Sequence, residues 1–163
     1  MTKIKFLFAS IFSLLVGFST LAQTKNLNSM EENKTLIKNF IDEIWHNRNV
    51  DKISTFWDDD YTNHSMPPEM QKGMENLKMS HQMFLSAFSD LKLEVLDQIA
   101  EDNKVVSRLK LSGKHTGDFM GMPSTDKSFQ MTGIRIDRIE NGKIVEHWAD
   151  YDMAGLMRQL SGN

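Results

Sequence analysis

The chain has 163 residues, 40% of them hydrophobic, and a formal charge of −3 at neutral pH. This length predicts one domain with a sizeable core, and a mildly acidic chain without a basic cluster is not expected to take nucleic acid as its main partner. The chain has no cysteine, which excludes disulfides, thiolate nucleophiles, zinc–cysteine sites and a cysteine-linked lipid anchor.

The first 22 residues have the order that is typical of a secretory signal peptide. Lys3 and Lys5 form a basic start, an apolar run covers residues 6–18, and small residues close the segment at Ala22. The alternative is a retained membrane anchor, because the apolar stretch could almost span a bilayer. We expect cleavage near Ala22 and an exported protein, periplasmic or secreted, without a stable membrane anchor. Cleavage removes two lysines and no acids, so the formal charge moves from −3 to −5.

Residues 23–30 have the composition of a polar linker, and we predict one domain over residues 31–163. From Glu31 onward, apolar residues recur at steps of three and four, which predicts an amphipathic helix with one buried stripe. Ser29 stands where a cap would lie, with Glu32 three residues later as in a capping box. The stripe consists of Leu36, Ile37, Phe40, Ile41, Ile44 and Trp45.

A turn and a short helix are predicted next, within residues 47–57. Residues 58–68 leave helical periodicity, and the two prolines at the end of this segment favour an extended stretch or a turn. The three aspartates at 58–60 lack the spaced oxygens and the glycine of a calcium loop, so they indicate a solvated helix end. A second long helix is predicted over residues 73–88. Its several methionines suit either plain core or a pocket wall.

After Asp90 the hydrophobic period changes to two, which predicts a meander of four antiparallel strands. Asn141 and Gly142 are a strong signal for a two-residue hairpin turn between the last two strands. Helices followed by strands predict an α+β domain, with the helices packed on one face of a curved antiparallel sheet and a cone-shaped cavity between them. The predicted strands cover residues 91–100, 104–116, 128–140 and 143–152.

The last strand carries an unusual density of polar and aromatic side chains. Two carboxylates beside an indole form an arrangement in which burial raises a carboxylate pKa, as general acid or base chemistry requires, although each carboxylate could instead face solvent. His147 and Tyr151, on the other face, fit a subunit interface or solvent equally well. The sequence leaves open which face lines the cavity. By alternation, one face carries Ile144, Glu146, Trp148 and Asp150.

Three further positions are candidates for binding. Asn63 and His64 lie where the helical part meets the sheet, a place where functional residues are common, although they could merely satisfy a turn. Arg135 on the third strand could hold a carboxylate or carbonyl oxygen of a ligand, or it could pair with a neighbouring acid, Asp137 or Glu146.

His115 opens the long loop between the second and third predicted strands, which could form a lip over the cavity. The five histidines of the chain are scattered, with no HExxH motif, so no metal site is predicted. The chain also lacks GxSxG, Walker and GxGxxG motifs, which argues against nucleophilic serine catalysis and nucleotide binding.

Several segments resemble the SnoaL-like polyketide cyclase (ester cyclase) family. They are "FWDDDYTNHSMPP" at 56–68, the loop "HTGDFMGMPST" at 115–125 and the ending "GKIVEHWADYDMAGLMRQL" at 142–160. The last two motifs are the most specific, and the likeness covers roughly residues 34–161.

The resemblance implies an NTF2-like α+β cone, often dimeric through the outer face of the sheet. It also implies an intramolecular aldol ring closure without metal or cofactor, in which an aspartate near the end of the sheet is the acid/base. Asp150 is the first choice for that aspartate, with Asp152 behind it. His64 and Arg135 are placed by pocket logic as groups that would stabilise an oxyanion.

The sequence thus predicts an exported, cofactor-independent acid/base catalyst acting on a small hydrophobic carbonyl compound, and a homodimer. The alternative is a non-catalytic exported module that holds a small ligand in the same pocket. The predicted substrate-binding residues are Asn63, Glu146, Trp148, His115 and Asp152.

Overall fold

The computed structural model describes Leu27 and residues 29–162. The predicted signal peptide and most of the predicted linker lie outside the described residues. The described part is an α+β domain in which helices pack on a five-stranded sheet, so the predicted fold class is confirmed.

The described residues form four α-helices. Residues 29 and 30 are already helical, ahead of the predicted start at Glu31. Helix α1 covers residues 29–40 and continues as a π-helix, a form often found at functional sites. The bounds are Ile41–His46 for the π-helix, Ile53–Phe56 for α2 after a 3₁₀ turn at Val50–Lys52, Met74–Ala87 for α3 after a 3₁₀ turn at Pro68–Met70, and Met153–Ser161 for α4.

The sheet has the strand order β1-β5-β4-β3-β2. The four strands from β2 to β5 form the predicted antiparallel meander. Their last turn has φ of 51° at Asn141 and 73° at Gly142, the pair of positive angles that a type I′ hairpin turn requires. The bounds are Trp57–Asn63 for β1, Phe88–Glu101 for β2, Lys104–His115 for β3, Ser128–Glu140 for β4 and Lys143–Tyr151 for β5.

The predicted short helix is present as α2, but the aspartates at 58–60, predicted as a solvated helix end, lie on strand β1. This strand runs parallel to β5, with Trp57 opposite Ile144 and Asn63 opposite His147, so the sheet is mixed and not purely antiparallel. Trp57 and Tyr61 are buried at 1% and 0% exposure. The strand could not be predicted from the sequence, because three consecutive aspartates interrupt the alternation of apolar and polar residues. Its partner strand β5 also lies near the other end of the domain.

Strand β5 also departs from simple alternation, because it contains a bulge. Ile144 pairs with Ile139 and Glu146 pairs with the preceding Arg138, so Val145 is an extra residue on β5. Ile144 therefore does not share a face with Glu146, contrary to the alternation pattern. Ile144 and His147 are both buried instead, at 0% and 8% exposure.

One face of the sheet packs against the helices and forms the core. We call the face that carries Leu93, Leu109 and Met131 the inner face, and these residues belong to the same buried cluster as Phe40 and Leu156 of the helices. The opposite, outer face carries partly exposed apolar residues of β3 and β4. Within residues 29–162, no helix has the length and apolar character needed to cross a membrane.

Candidate active site

A cavity of about 470 Å³ lies between the helices and the inner face of the sheet. This volume lies within the range of small-molecule sites, and most of the lining side chains are aromatic rings and methionines. The apolar part includes Phe40, Trp45, Trp57, Phe84, Phe119, Met66, Met83, Met131 and Met153, and the polar part includes Asn63, Ser80, His81, Arg135, His147 and Tyr151.

Three polar side chains form a buried array, of which Arg135 and His147 line this cavity and Asp137 bonds to both. Arg135 and Asp137 alternate along β4, so both point to the inner face, and His147 stands opposite Asp137 on β5. Arg135 donates two hydrogen bonds to Asp137, from Nε to Oδ2 at 2.7 Å and from Nη2 to Oδ1 at 2.6 Å. The Nδ1 atom of His147 lies 2.8 Å from Oδ1 of the same carboxylate. We call these residues the Arg–Asp–His array.

Burial and the contacts within the array shift the pKa values of Asp137 and His147. Burial alone would raise the pKa of Asp137, but the Arg135 guanidinium and the bond with His147 outweigh it and hold the pKa below its usual value. Asp137 is therefore a carboxylate paired with a guanidinium. Burial, followed by the positive charge of Arg135, lowers the pKa of His147 in spite of the carboxylate beside it.

These shifts fix the state of the His147 ring. A neutral imidazole facing a carboxylate carries its proton on the nitrogen that touches the carboxylate, which is Nδ1. The Nε2 atom then holds a free lone pair, on a residue that lines the cavity. An imidazole oriented in this way by an aspartate is the arrangement of a general base.

Tyr151 and Arg135 add hydrogen-bond donors to the same cavity. Burial raises the pKa of Tyr151, so its hydroxyl keeps its proton. Its ring lies directly over Gly133 of β4, where a Cβ atom would come within 2.2 Å of the Tyr151 Cδ1 atom. The Arg135 guanidinium carbon lies 4.9 Å from the centre of the Phe40 ring, which fixes the cation against an aromatic face.

Of the residues predicted from the sequence, Arg135, Asn63 and Asp150 border the cavity, and the first two are buried. Asn63 is 8% exposed, and its Oδ1 atom accepts a hydrogen bond from the backbone of Ser65 at 3.0 Å. Its amide therefore both closes a turn and borders the cavity.

Three other predicted residues come together on the outer face and outside the cavity. The His64 ring stacks on Trp148 at 4.5 Å with an angle of 4°, and its Nε2 atom lies 3.2 Å from Oε1 of Glu146. Glu146 also pairs with Arg138, and the hydrogen bonds from Arg138 and then His64 lower the pKa of Glu146. These contacts connect the residue that follows β1, His64, to Glu146 and Trp148 of β5.

Asp150 pairs with Ile134 on the outer face of the sheet and is exposed. It borders both the cavity and a groove on the outer face. The structure gives its side chain no hydrogen bond or ion pair with any described residue. Its role as the acid/base therefore stays a prediction.

His115 and Asp152 have clear structural contacts. His115 is fully buried beside the Phe88 ring, and its Nδ1 atom lies 3.0 Å from the hydroxyl of Thr125 across the loop that follows β3. Asp152 caps helix α4, because its Oδ1 atom accepts a hydrogen bond from the backbone of Gly155 at 2.7 Å. The binding roles predicted for both residues stay predictions.

The predicted site omits three residues that line the cavity, His81, His147 and Tyr151, and it omits Asp137, which bonds to Arg135 and His147. From the sequence, Asp137 is expected only as a partner of Arg135, and it stays open whether the face with His147 and Tyr151 lines the cavity, an interface or solvent. The signal that could have identified Asp137 is its spacing from Arg135, which places two opposite charges on one strand face. Among the residues that the structure describes, no cluster of three acidic or histidine side chains could hold a metal ion.

Comparison with known proteins gives a consistent result. Residues 35–160 match the model of the SnoaL-like polyketide cyclases. The chain is 32% identical over 124 residues to the aklanonic acid methyl ester cyclase DnrD of Streptomyces peucetius, covering 72% of this chain and 83% of that enzyme. It is 41% identical over 58 residues to the nogalonic acid methyl ester cyclase of Streptomyces nogalater, covering 34% of this chain and 42% of that enzyme.

A solved structure supports the same fold. TsrD from Streptomyces laurentii superposes with a TM-score of 0.74 at 26% identity, covering 82% of this chain and 97% of TsrD. The resemblance predicted from the sequence is confirmed.

Proposed function

Because the chain belongs to the SnoaL-like polyketide cyclase family, we propose that it is an exported ester cyclase that acts without a cofactor on a small hydrophobic carbonyl compound. The observation that carries this proposal is the Arg–Asp–His array in the wall of an apolar cavity. Burying charged residues costs free energy because they lose their hydration, and their placement beside a pocket is typical of functional sites.

The geometry supports a proton-transfer mechanism. His147 Nε2 takes a proton from a carbon next to a carbonyl, and the electrons of the broken C–H bond move onto the carbonyl oxygen. Arg135 and Tyr151 donate hydrogen bonds to that oxyanion. The enolate carbon then bonds to a second carbonyl carbon of the same molecule, and the alkoxide formed there takes the proton back from His147. Asp137 stabilises the transient imidazolium.

The test uses the substrates of the two related cyclases. The mature protein is incubated with aklanonic acid methyl ester or nogalonic acid methyl ester, and an isomer of equal mass is sought by chromatography and mass spectrometry. Loss of general base catalysis in His147→Gln should slow ring closure by about 10²–10⁴-fold. Asp150→Asn is measured beside it, because Asp150 is the base predicted from the sequence.

The alternative function is a non-catalytic module that holds a small ligand. The apolar, methionine-rich lining of the cavity favours this alternative, because such a surface adapts to many ligands. Tight binding of either ester, without ring closure and without deuterium uptake from heavy water, would support it against the enzyme.

Homodimer formation is part of the proposal and rests on the outer face. Ile99, Val106, Ile136 and Trp148 occupy successive paired positions across β2, β3, β4 and β5, and Ile99 is 65% exposed. A continuous apolar row on an exposed sheet is typical of an interaction surface. Sedimentation velocity of the mature protein measures whether two copies associate.

A further inference from the structure

Helix α3 brings a second histidine to the cavity, on the wall opposite the sheet. His81 is half-buried and packs against two aromatic rings, with the Phe40 ring centre at 5.9 Å and the Trp45 ring centre at 5.3 Å. Phe40 also supports the Arg135 guanidinium at 4.9 Å. One phenyl ring thus contacts both His81 and Arg135, and because all three line the same cavity, a single ligand could contact both polar groups.

The hydrogen bonds of His81 define what its ring can offer. Its Nδ1 atom lies 2.8 Å from the carbonyl oxygen of Leu77, one turn earlier in the same helix, and that oxygen can only accept. The proton of the neutral ring is therefore on Nδ1. Burial lowers the pKa of His81 to about 4, which keeps the ring neutral at physiological pH.

The other ring nitrogen, Nε2, has no hydrogen-bond partner among the described residues. A phenylalanine would satisfy the aromatic packing at this half-buried position, whereas the histidine adds a hydrogen-bond acceptor to it. Since His81 lines the cavity, a hydrogen-bond donor of a bound ligand could reach this nitrogen.

We propose that His81 is a substrate-binding residue whose Nε2 atom accepts a hydrogen bond from a phenol or enol hydroxyl of the bound carbonyl compound. This inference rests on the proposed function for the carbonyl group, which would lie at Arg135 and Tyr151. It adds that the ligand carries a hydroxyl group at the end opposite this carbonyl group. The site would then select hydroxylated aromatic ketones over their methyl ethers.

The experiment compares two probes that differ only in the hydroxyl. Binding of 6-hydroxy-2-acetonaphthone and of 6-methoxy-2-acetonaphthone is measured by quenching of tryptophan fluorescence, since Trp45 and Trp57 line the cavity. The wild type should bind the hydroxy compound about 3–10-fold more tightly, as expected for one buried hydrogen bond. His81→Phe keeps an aromatic ring in place and should bind the two probes equally.

A second measurement needs no variant. In the wild type labelled with ¹⁵N-histidine, the hydroxy probe should shift the Nε2 resonance of His81 and the methoxy probe should not. The inference is overturned if His81→Phe keeps the preference, if the wild type shows none or fails to bind the hydroxy probe, or if the resonance does not move. Binding needs no turnover, so an inactive protein that shows the preference would refute only the proposed reaction.

Discussion

At the scale of single residues, the Arg–Asp–His array couples stability to function. The three side chains of the array are at most 8% exposed. The Asp137 carboxylate balances the charge of Arg135 and accepts a hydrogen bond from Nδ1 of His147. A buried ion pair adds little net stability compared with apolar packing, whereas removing one partner leaves an uncompensated buried charge. Asp137 is therefore the residue whose loss should affect both the fold and the chemistry.

Asp137→Asn should lower the free energy of unfolding by about 3–5 kcal/mol, because it leaves the buried Arg135 guanidinium without a counterion. Urea denaturation at neutral pH measures this change. The control is Glu140→Gln, which breaks a pair with Arg138 at a side chain that is 51% exposed and should cost less than about 1 kcal/mol. Equal losses in the two variants would show that burial of the array is not what stabilises it.

His81 should make the fold sensitive to mild acid. Its pKa is about 4 in the folded chain against 6.5 for an ordinary histidine, so below pH 6.5 the unfolded chain binds a proton that the folded chain excludes. The free energy of unfolding should fall as the pH drops from 6.5 to about 4, by at most about 3 kcal/mol from this residue.

His81→Phe should flatten this part of the curve, although His147, whose pKa is also lowered, keeps a slope of the same sign. Denaturation of the wild type and the variant at several pH values in this window measures the difference. Parallel curves would contradict a His81 that is neutral in the folded chain.

At the scale of secondary-structure elements, local signals explain most of what the sequence predicted. The four strands of the meander follow from period-two alternation, and the turn at Asn141 and Gly142 needs only its own two residues. Strand β1 could not be predicted in this way, because its pairing depends on β5. The bulge at Val145 depends on the register between β4 and β5, which alternation within one strand does not contain.

The start of helix α4 gives a prediction at this scale. Asp152→Ala removes the cap of α4 and should lower the free energy of unfolding by about 1 kcal/mol. Asp150→Ala, two residues earlier, is the matched control and should change it by less than about 0.5 kcal/mol, because its exposed side chain has no bond to a described residue. Thermal denaturation of both variants tests this, and a larger loss for Asp150→Ala would contradict the observed contacts.

At the scale of the whole molecule, the layer arrangement and the family could be predicted, and the centre of the site only in part. Composition and periodicity predicted helices on one sheet face with a cavity between, and Arg135, Asn63 and Asp150 do border that cavity. His147 could not be assigned because both faces of β5 carry polar and aromatic residues, and the bulge sets which of them turns inward. The position of His81 in the cavity could not be predicted either, because it depends on how α3 packs against α1.

The central claim is that His147, oriented by Asp137, is the general base for ring closure of a substrate bound in the cavity. Ring closure of aklanonic acid methyl ester by the wild type, His147→Gln and Asp150→Asn, with folding of each checked by circular dichroism, tests it most directly. We predict that the wild type and Asp150→Asn form the cyclic isomer at similar rates and that His147→Gln is slower by about 10²–10⁴-fold. Full activity in His147→Gln together with its loss in Asp150→Asn would contradict the claim and assign the acid/base role to Asp150.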